Sequence, residues 1–283
     1  MNFRTRFAPS PTGPLHLGHA YSALLAFDMA QAHAGEFLLR IEDIDQSRAR
    51  PEWEMQIYDD LAWLGLRWPE PVMRQSERHA AYDDALDQLW QQGLLYPCTC
   101  SRADIAAAAS APQEGAPLHG PDGVIYPGTC RVTACRTGLR PTITPLRLDM
   151  RKAVQSIDNT FYFTETGQRH GDIRVDADTL TLGIGDIVLS RRDMGTSYHL
   201  SVVLDDAAQD ITHVVRGEDL FEATKIHVVL QKLLGLPTPT YHHHRLIRDA
   251  AGKRLAKRDD ARAISLYRVE GKTPKDIRLM VGL

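Results

Sequence analysis

The sequence contains 283 residues, of which 43% are hydrophobic and 24% are charged, and its formal net charge is -3. This length and composition predict a folded globular protein with one large core or two domains sharing an interface, and they give no reason to propose a disordered tail. The ordinary charge balance also gives no reason to propose a general polyanion binder, so any nucleic-acid contact must be a local patch.

The first elements in chain order form a βαβ unit. Residues Arg4–Phe7 are predicted to form a strand, and the prolines and glycine that follow prevent regular structure until His16. Apolar residues at helical spacing predict a helix over Leu17–His33, ended by Gly35, and a second strand is predicted over Glu36–Ile41. This order implies a parallel sheet with its ligand site at the carboxyl ends of the strands.

The later elements alternate in type. Helical patterns continue over Pro51–Leu64 and Glu77–Gln92, and the glycine- and proline-rich stretch 98–140 predicts an inserted module held by something other than a large core. The pattern then turns β-rich, with strands expected at Phe161–Phe163, Ile187–Leu189 and Ser201–Leu204. A last α/β portion is expected over Ile211–Ile247, followed by a basic loop and a short helical tail.

The chain shows no sign of membrane insertion or secretion. Arg4 and Arg6 lie near an N-terminus that has no long apolar run, which argues against a signal peptide. No stretch approaches the ~20 apolar residues that span a bilayer, so we expect a cytoplasmic location and no membrane partner. All four cysteines lie within residues 98–135, and without a secretory signal this clustering favours metal binding over disulfides.

The segment RFAPSPTGPLHLGH, residues 6–19, carries the strongest chemical signal. It places His16 and His19 at a helix N-terminus, where free backbone N–H groups and a partial positive charge suit phosphate. Gly18 would let a flat base lie against the backbone. The histidines can donate to phosphate oxygens whose charge grows when a carboxylate attacks an α-phosphate.

This segment resembles the HIGH signature of class I aminoacyl-tRNA synthetases, in the form of the glutamyl and glutaminyl branch. Segments Arg40–Asp45 and Val214–Leu220 also resemble that branch, so the resemblance covers nearly the entire chain. It implies a Rossmann-like α/β catalytic core and activation of an amino acid by ATP, with its magnesium, as an aminoacyl-adenylate that is passed to a tRNA. His16, Gly18 and His19 would then contact ATP, and the two histidines would be catalytic.

The charge of the substrate is the basis for a glutamate pocket. Glutamate brings two carboxylates and one ammonium, so its pocket needs buried cations and an acidic partner. The resemblance implies that Arg6 and Arg216 hold the substrate, that Glu42 meets the α-ammonium, and that Tyr198 lines the pocket. Ala8 and Ser10 lie beside Arg6 in the first loop. Taken singly, each arginine would more often be a surface ion-pair partner.

The segment GKRLAKR, residues 252–258, occupies the place of the KMSKS loop, a mobile basic loop that stabilises the triphosphate. Lys257 matches the second lysine and is assigned to ATP and catalysis. Arg254 replaces the first lysine and is also assigned to ATP. Ala256 replaces the serine, so one hydroxyl is lost. Without the resemblance this segment would be a solvated basic turn.

Cysteines from two separated segments form a candidate site for one structural zinc ion. Cys98 and Cys100 are followed by Cys130, and thiolates in such a pattern suit tetrahedral zinc. Tyr126 is named as fourth ligand because a small family of truncated glutamyl synthetase paralogues shows this C-x-C and Y-x-x-x-C arrangement. Cys135 and His119 are competing candidates, and buried free thiols are the alternative without metal.

The shortness of the chain decides the expected acceptor. The sequence ends at Leu283, too soon after Lys257 for a further domain of ~50 residues, so we expect no anticodon-binding domain. Such a core resembles the truncated paralogues, which attach glutamate to queuosine at the wobble position of tRNA(Asp). The anticodon loop would dock at the active site through a local basic surface, and we expect a monomer. The alternatives are a conventional glutamyl-tRNA synthetase that charges a tRNA 3' end, another nucleotidyltransferase, and a catalytically silent paralogue that binds tRNA or glutamate.

The resemblance also implies a division of the chain. Residues 1–95 and 186–247 would be the two halves of the catalytic domain, 96–185 the inserted zinc-containing, acceptor-type module, and 248–283 the KMSKS-like loop with a short helical tail.

Two further clusters are assigned to structure. Residues 242–244 are three consecutive histidines, and because neighbours in a strand point to opposite faces, they cannot converge on one ion. Asp205 and Asp206 are interpreted as a solvated strand end, with a magnesium site as the alternative.

Overall fold

The structure is a computed structural model that describes residues 2–109, 119–157, 160–248 and 262–283. Its first unit confirms the predicted βαβ order: strand β1 (Arg4–Phe7), helix α1 (Leu17–Ala32) and strand β2 (Glu36–Ile41). The strands pair in parallel, from Arg4 opposite Glu36 to Phe7 opposite Leu39. The α1 helix packs on this pair through an apolar face that includes the fully buried Ala20 and Leu24.

In the central sheet, parallel strands lie on both sides of β1. On one side β2 pairs in parallel with β3 (Met73–Arg74). On the other side β11 (His213–Gly217) lies beside β1, because the Thr212 backbone N–H donates to the Arg4 carbonyl at 3.1 Å, and β11 pairs in parallel with β12 (Thr240–His244). This contact joins two sheets, β3-β2-β1 and the one that contains β11 and β12, so the order across both is β3-β2-β1-β11-β12, with a topological switch point between β1 and β11. In such sheets the ligand crevice lies at the carboxyl ends of the two strands at the switch point.

The other helices connect or flank these strands. The predicted helices before residue 95 are confirmed as α2 (Pro51–Trp63) and α3 (His79–Gln91). The later helices are α4 (Arg102–Ala109), α5 (Met150–Gln155), α6 (Tyr198–Ala208), α7 (Phe221–Leu234), α8 (Ile264–Val269) and α9 (Pro274–Val281). Helices α8 and α9 are the predicted helical tail. Arg278 on α9 holds this tail to α1 through a bidentate ion pair with Asp28, at 2.6 and 2.8 Å.

The segment between α3 and α6 contains mainly short strands. Strands β4 (Leu95–Pro97), β7 (Leu146–Leu148) and β10 (Val188–Ser190) form one antiparallel sheet, and β5 (His119–Gly120) pairs with β6 (Gly123–Val124). The hairpin of β8 (Thr160–Glu165) and β9 (Gly171–Asp176) joins the central sheet, where Glu165 is opposite Tyr241 of β12. The proposed division of the chain into four parts stays a prediction.

The expected strand at Ser201–Leu204 is wrong, since these residues lie inside helix α6. Ser197 begins the helix, because its hydroxyl accepts the Leu200 backbone N–H at 3.4 Å. The β-branched Val202 and Val203 favour strands only weakly, and burial of both side chains within a helix packed beside α7 outweighs that preference. The π-helix at Thr179–Ile184 and helix α5 were also not predicted in this β-rich part.

No helix within the described ranges is both long and apolar enough to cross a bilayer.

A buried carboxyl on α2 makes stability depend on pH. Asp60 is fully buried, and neither of its oxygens has a hydrogen-bond partner among the described residues. Burial, helped by the neighbouring Asp59, raises the pKa of Asp60 from 3.8 to about 7. Between these values the folded protein keeps a proton that the unfolded chain has released, so the free energy of unfolding falls as pH rises through this window.

We therefore expect Asp60→Asn to stabilise the protein at pH 8 and to change it little at pH 4. The pKa difference limits the gain to roughly 4 kcal/mol. Urea unfolding of both proteins across this pH range measures the effect. Asp84→Asn, on the exposed side of α3, is the matched control and should show no such pH dependence. An Asp60→Asn protein that is equally destabilised at every pH would contradict this interpretation.

Candidate functional site

A cavity of about 150 Å³ opens at the carboxyl ends of β1 and β11. Five of the predicted substrate residues line it: Arg6, Ala8, Glu42, Tyr198 and Arg216. The remaining lining residues are Phe7, Ser22, Val215, Gly217 and Leu220. Ser10, which was predicted beside Arg6, is not among the lining residues. The switch point thus brings together residues from positions 6 and 216 of the chain.

Arg6 is held by a buried ion pair that the sequence did not reveal. Its Nε and Nη2 donate to the two carboxylate oxygens of Asp206, at 2.9 and 3.3 Å. Arg40, which is fully buried, shares that carboxylate through Nη1 at 2.7 Å. Burial alone would raise the pKa of Asp206, but Arg6 and Arg40 outweigh it and hold the pKa below its ordinary value. Asp206 is therefore an ionised anchor for two guanidinium groups.

The interpretation of Asp205 and Asp206 as a solvated strand end is wrong. Both are buried on α6, and Asp205 accepts from Gln75 and from the Tyr82 hydroxyl, each at 2.9 Å. Arg78 completes the Asp205 contacts at 3.1 Å. A helix places successive residues on different sides, so the two carboxylates bind separate partners.

Glu42 offers an acidic group to the same cavity. Arg40 donates to its carboxylate at 3.2 Å, and only 9% of the side chain is exposed. Burial raises the pKa of Glu42, while Arg40 and then Arg6 oppose the rise. An ammonium group that entered the cavity would favour the ionised form of this carboxyl.

The three consecutive histidines form part of β12, as predicted, and contact different groups. The His242 ring contacts the Thr166 hydroxyl at 3.0 Å, and His244 contacts Ser22 at 2.6 Å. His243 is buried and accepts from Arg216 Nε at 3.2 Å. Their divergence follows from the alternation of side chains along a strand.

The two signature histidines lie at the start of α1, as predicted. His16 is the N-cap, and its Nδ1 accepts the Gly18 backbone N–H at 3.1 Å. His19 Nδ1 accepts the His16 backbone N–H at 3.2 Å, and the two rings stack with centroids 3.8 Å apart. A Cβ on Gly18 would approach the His16 ring to 2.9 Å, so a side chain there would push that ring aside.

The KMSKS-like residues Arg254, Ala256 and Lys257 lie outside the described residues. The chain that follows them returns beside the signature histidines. Ala263 forms an antiparallel bridge with His16, and the Ile264 N–H donates to the Leu15 carbonyl at 2.8 Å.

The cysteine cluster forms a second site in the segment between α3 and α6. The Sγ atoms of Cys98, Cys100 and Cys130 lie within 4.8 Å of one another, and the Tyr126 hydroxyl is 3.4 Å from Cys98 Sγ and 3.3 Å from Cys100 Sγ. Cys135 is exposed and its thiol contacts Thr137, 3.4 Å away. His119, on β5, is exposed and does not join the cluster of described residues.

Arg147 backs this cluster and was not found from the sequence. Its Nε donates to Cys98 Sγ at 3.3 Å, and its guanidinium lies 3.9 Å from the centroid of the Tyr126 ring. Burial acts to raise the pKa of the Cys130 thiol, but hydrogen bonds from Tyr126 and the Thr99 backbone lower it to about 6. The thiolate form of Cys130 is thus favoured, and the buried Arg147 guanidinium lies in the same cluster. No local sequence signal marks Arg147, because it comes from a different strand.

Comparisons with known proteins agree with the fold. The family of class I tRNA synthetases (E and Q), catalytic domain, matches residues 2–283. A Glutamyl-Q tRNA(Asp) synthetase of Rhodobacter capsulatus is 64% identical over 281 residues, covering 99% of each chain. Another, of Albidiferax ferrireducens, is 42% identical and covers 92% of this chain and 85% of the relative.

Solved structures agree with this assignment. A glutamate tRNA ligase from Elizabethkingia meningosepticum, in complex with its amino acid, matches all of this chain with a TM-score of 0.77 and 28% identity. The chain spans 61% of the length of that structure. The chain therefore belongs to the class I tRNA synthetases (E and Q) and, within them, to the family of the glutamyl-Q tRNA(Asp) synthetases. The expectation of a synthetase-like ligase with an α/β catalytic fold is confirmed.

Proposed function

We propose that the chain activates L-glutamate with ATP as glutamyl-adenylate and transfers it to queuosine at the wobble position of tRNA(Asp). The observation that supports glutamate activation is the presence of Arg6, Arg216 and Glu42 in one small cavity. Two cations and one anion match the two carboxylates and one ammonium of glutamate.

The charge balance of the buried groups also favours glutamate. The charged groups that line the cavity are Arg6, Arg216 and Glu42, which leave one positive charge on the lining when Glu42 is ionised. Glutamate carries one net negative charge near neutral pH, so its binding neutralises the lining. Glutamine has only one carboxylate and would leave one of the two guanidinium groups without a carboxylate partner in the cavity, which is costly.

The signature histidines support the adenylation step. In this step a glutamate carboxylate oxygen attacks the α-phosphorus of ATP, the bond from the α-phosphorus to the bridging oxygen breaks, and pyrophosphate leaves. Negative charge builds on the phosphate oxygens in the transition state. His16 and His19 at the N-terminus of α1 are suited to donate to those oxygens, and the helix end adds its own N–H groups. Arg254 and Lys257 would bind the triphosphate, and magnesium would arrive with ATP.

The acceptor is inferred from the relatives, because they are named Glutamyl-Q tRNA(Asp) synthetases. A queuosine hydroxyl would attack the adenylate carbonyl and release AMP. A tRNA that presents its anticodon loop to this site needs splayed bases and phosphate contacts, which a local basic surface can supply. We also propose a monomeric, cytoplasmic protein.

Mapping of labelled glutamate on tRNA tests the acceptor. The protein is incubated with ATP, radiolabelled glutamate and queuosine-containing tRNA(Asp), and the tRNA is digested with a nuclease. We expect the label on the anticodon-loop fragment, and none on tRNA(Asp) that lacks queuosine. Label on the terminal adenosine would instead show a conventional glutamyl-tRNA synthetase, and absence of both label and exchange with every amino acid would show a silent paralogue.

We further propose that Cys98, Cys100, Cys130 and Tyr126 hold one structural zinc ion. A tetrahedral ion with Zn–S bonds of ~2.3 Å separates its thiolates by roughly 3.8 Å. The 3.4 Å between Cys100 Sγ and Cys130 Sγ fits this geometry after small adjustments. Burial and hydrogen bonds from the cysteines raise the pKa of the Tyr126 phenol, so its ionisation would depend on the ion. Arg147 would balance the excess negative charge of such a ligand set.

Zinc content of purified variants tests this ligand set. We expect about one zinc per chain in the wild type and in Cys135→Ser, which changes an exposed cysteine outside the cluster. Cys100→Ser should lose most of the zinc, because a serine hydroxyl is a poor zinc ligand. Tyr126→Phe should hold zinc more weakly in competition with a chelator. Unchanged retention in Tyr126→Phe would remove Tyr126 from the ligand set.

A further inference from the structure

The Arg216 guanidinium contacts two buried histidines. Its Nη1 lies 3.0 Å from His227 Nδ1, and its Nε lies 3.2 Å from His243 Nε2. Its Nη2 donates to the Thr224 hydroxyl at 2.6 Å. These partners come from helix α7 and strand β12, and all of them are buried.

The chemistry of the guanidinium fixes the protonation of both histidines. Arginine carries only donors and stays protonated in proteins. His227 Nδ1 and His243 Nε2 must therefore both be acceptors, which means that neither nitrogen carries a proton and that both rings are neutral. The proton of His227 is on Nε2 and that of His243 is on Nδ1, so the two rings have opposite tautomers.

The outer nitrogens find partners that match these tautomers. His243 Nδ1 lies 2.5 Å from Glu165 Oε2, and Glu165 is fully buried. His227 Nε2 lies 3.1 Å from His199 Nδ1, and His199 Nε2 lies 3.3 Å from Asp122. Each branch thus runs from Arg216 through neutral imidazoles to a carboxylate, which accepts only. Every donor in both branches points away from Arg216.

We propose that His227 and His243 are positioning residues, held as opposite neutral tautomers, that aim the Arg216 guanidinium into the substrate cavity. This inference rests on the proposed function, since Arg216 must meet glutamate for its aim to matter. The His243 ring lies between Glu165 and Arg216, so these two residues form no direct ion pair. The positive charge of Arg216 therefore stays available to the ligand, while the His243 ring fixes the orientation of the guanidinium.

The surroundings of both rings favour the neutral form. His227 is faced by His199 and Tyr198 from α6, Arg6 from β1, Arg216 from β11 and His243 from β12. Burial first, and then the charge of Arg216, keep the pKa of His227 well below its ordinary value. Burial also lowers the pKa of His243, although Glu165 opposes the change. The groups facing His243 are Glu165 from β8, Phe221 and Thr224 from α7, and Arg216.

The first experiment separates positioning from structural support by kinetics. Pyrophosphate exchange is measured for His227→Leu and for His227→Asn, whose amide oxygen can occupy the place of Nδ1. We expect the KM for glutamate to rise about tenfold or more in His227→Leu, with the KM for ATP within about twofold, because Arg216 loses one acceptor. His227→Asn should recover most of the lost glutamate affinity. His242→Asn changes the neighbouring imidazole on the other face of β12 and is the matched control.

The second experiment observes the tautomers directly. Nitrogen NMR of histidine-labelled protein at neutral pH distinguishes protonated from bare ring nitrogens, and the signals of His227 and His243 are assigned from the variants. We expect a bare Nδ1 in His227 and a bare Nε2 in His243. The same tautomer in both, or an imidazolium in either, would overturn the inference even if His227→Leu failed to fold.

The outcomes also distinguish this inference from the proposed function. If the wild type activates glutamate but His227→Leu and His227→Asn both keep the wild-type KM for glutamate, the positioning role is refuted and the proposed function stands. If the wild type shows neither glutamate binding nor exchange, the proposed function fails and the inference fails with it.

Discussion

Arg216→Ala is expected to raise the KM for glutamate in pyrophosphate exchange by about a hundredfold or more. The change removes a buried cation, so a carboxylate of the bound substrate would lose its partner in the cavity. Loss of one partner of such a pair costs about 3 kcal/mol or more. The KM for ATP should change little, because ATP is assigned to the start of α1 and to the segment 252–258. Arg216→Lys should be intermediate, since an ammonium cannot reproduce the fork of donors.

The matched control is Arg169→Ala. Arg169 forms an exposed ion pair with Glu222 at 3.2 Å, with 61% of its own side chain exposed, so its loss should leave exchange unchanged. An Arg216→Ala protein that folds and keeps the wild-type KM for glutamate would place the substrate elsewhere.

His19→Ala is expected to lower kcat for adenylation by about 10²- to 10³-fold with little change in the KM for glutamate. The ring would donate to the phosphate oxygens mainly when charge builds up in the transition state, and loss of one such donor costs roughly this factor. Part of any stability loss would come from the helix start, because His19 also accepts the His16 N–H.

His33→Ala is the control for that contribution. It removes an imidazole at the other end of α1, where His33 is the C-cap and stacks on Phe3 at 4.1 Å. We expect a small loss of thermal stability and unchanged kcat. If His19→Ala instead raised the KM for glutamate and kept kcat, His19 would contact the amino acid and the assignment to phosphate would be wrong.

Local patterns were sufficient to predict the first unit, whereas the substrate residues were assigned through the family resemblance. The order of strand, loop, helix and strand over residues 4–41 predicted the parallel sheet. This worked because the apolar periodicity and the prolines that mark these elements lie close together in the sequence. The clustering of the cysteines in one segment predicted that Cys98, Cys100 and Cys130 converge, because few other thiols are present.

The groups that support the site could not be predicted in this way. Asp206 was misplaced because Val202 and Val203 suggested a strand, and only packing against α7 decides for the helix. Arg40 was seen in its motif but given no role, since its partner Asp206 lies 166 residues away. The histidine branches behind Arg216 depend on β8, α6, α7 and β12 meeting in space. The roles assigned to Arg254 and Lys257 stay predictions.

The most direct test of the central claim is a crystal structure of the protein soaked with glutamate. We predict that the amino acid occupies the cavity at the switch point, with its carboxylates within hydrogen-bond distance of Arg6 and Arg216 and its ammonium facing Glu42. Glutamate bound away from both arginines, or with its ammonium directed at either of them, would contradict the account.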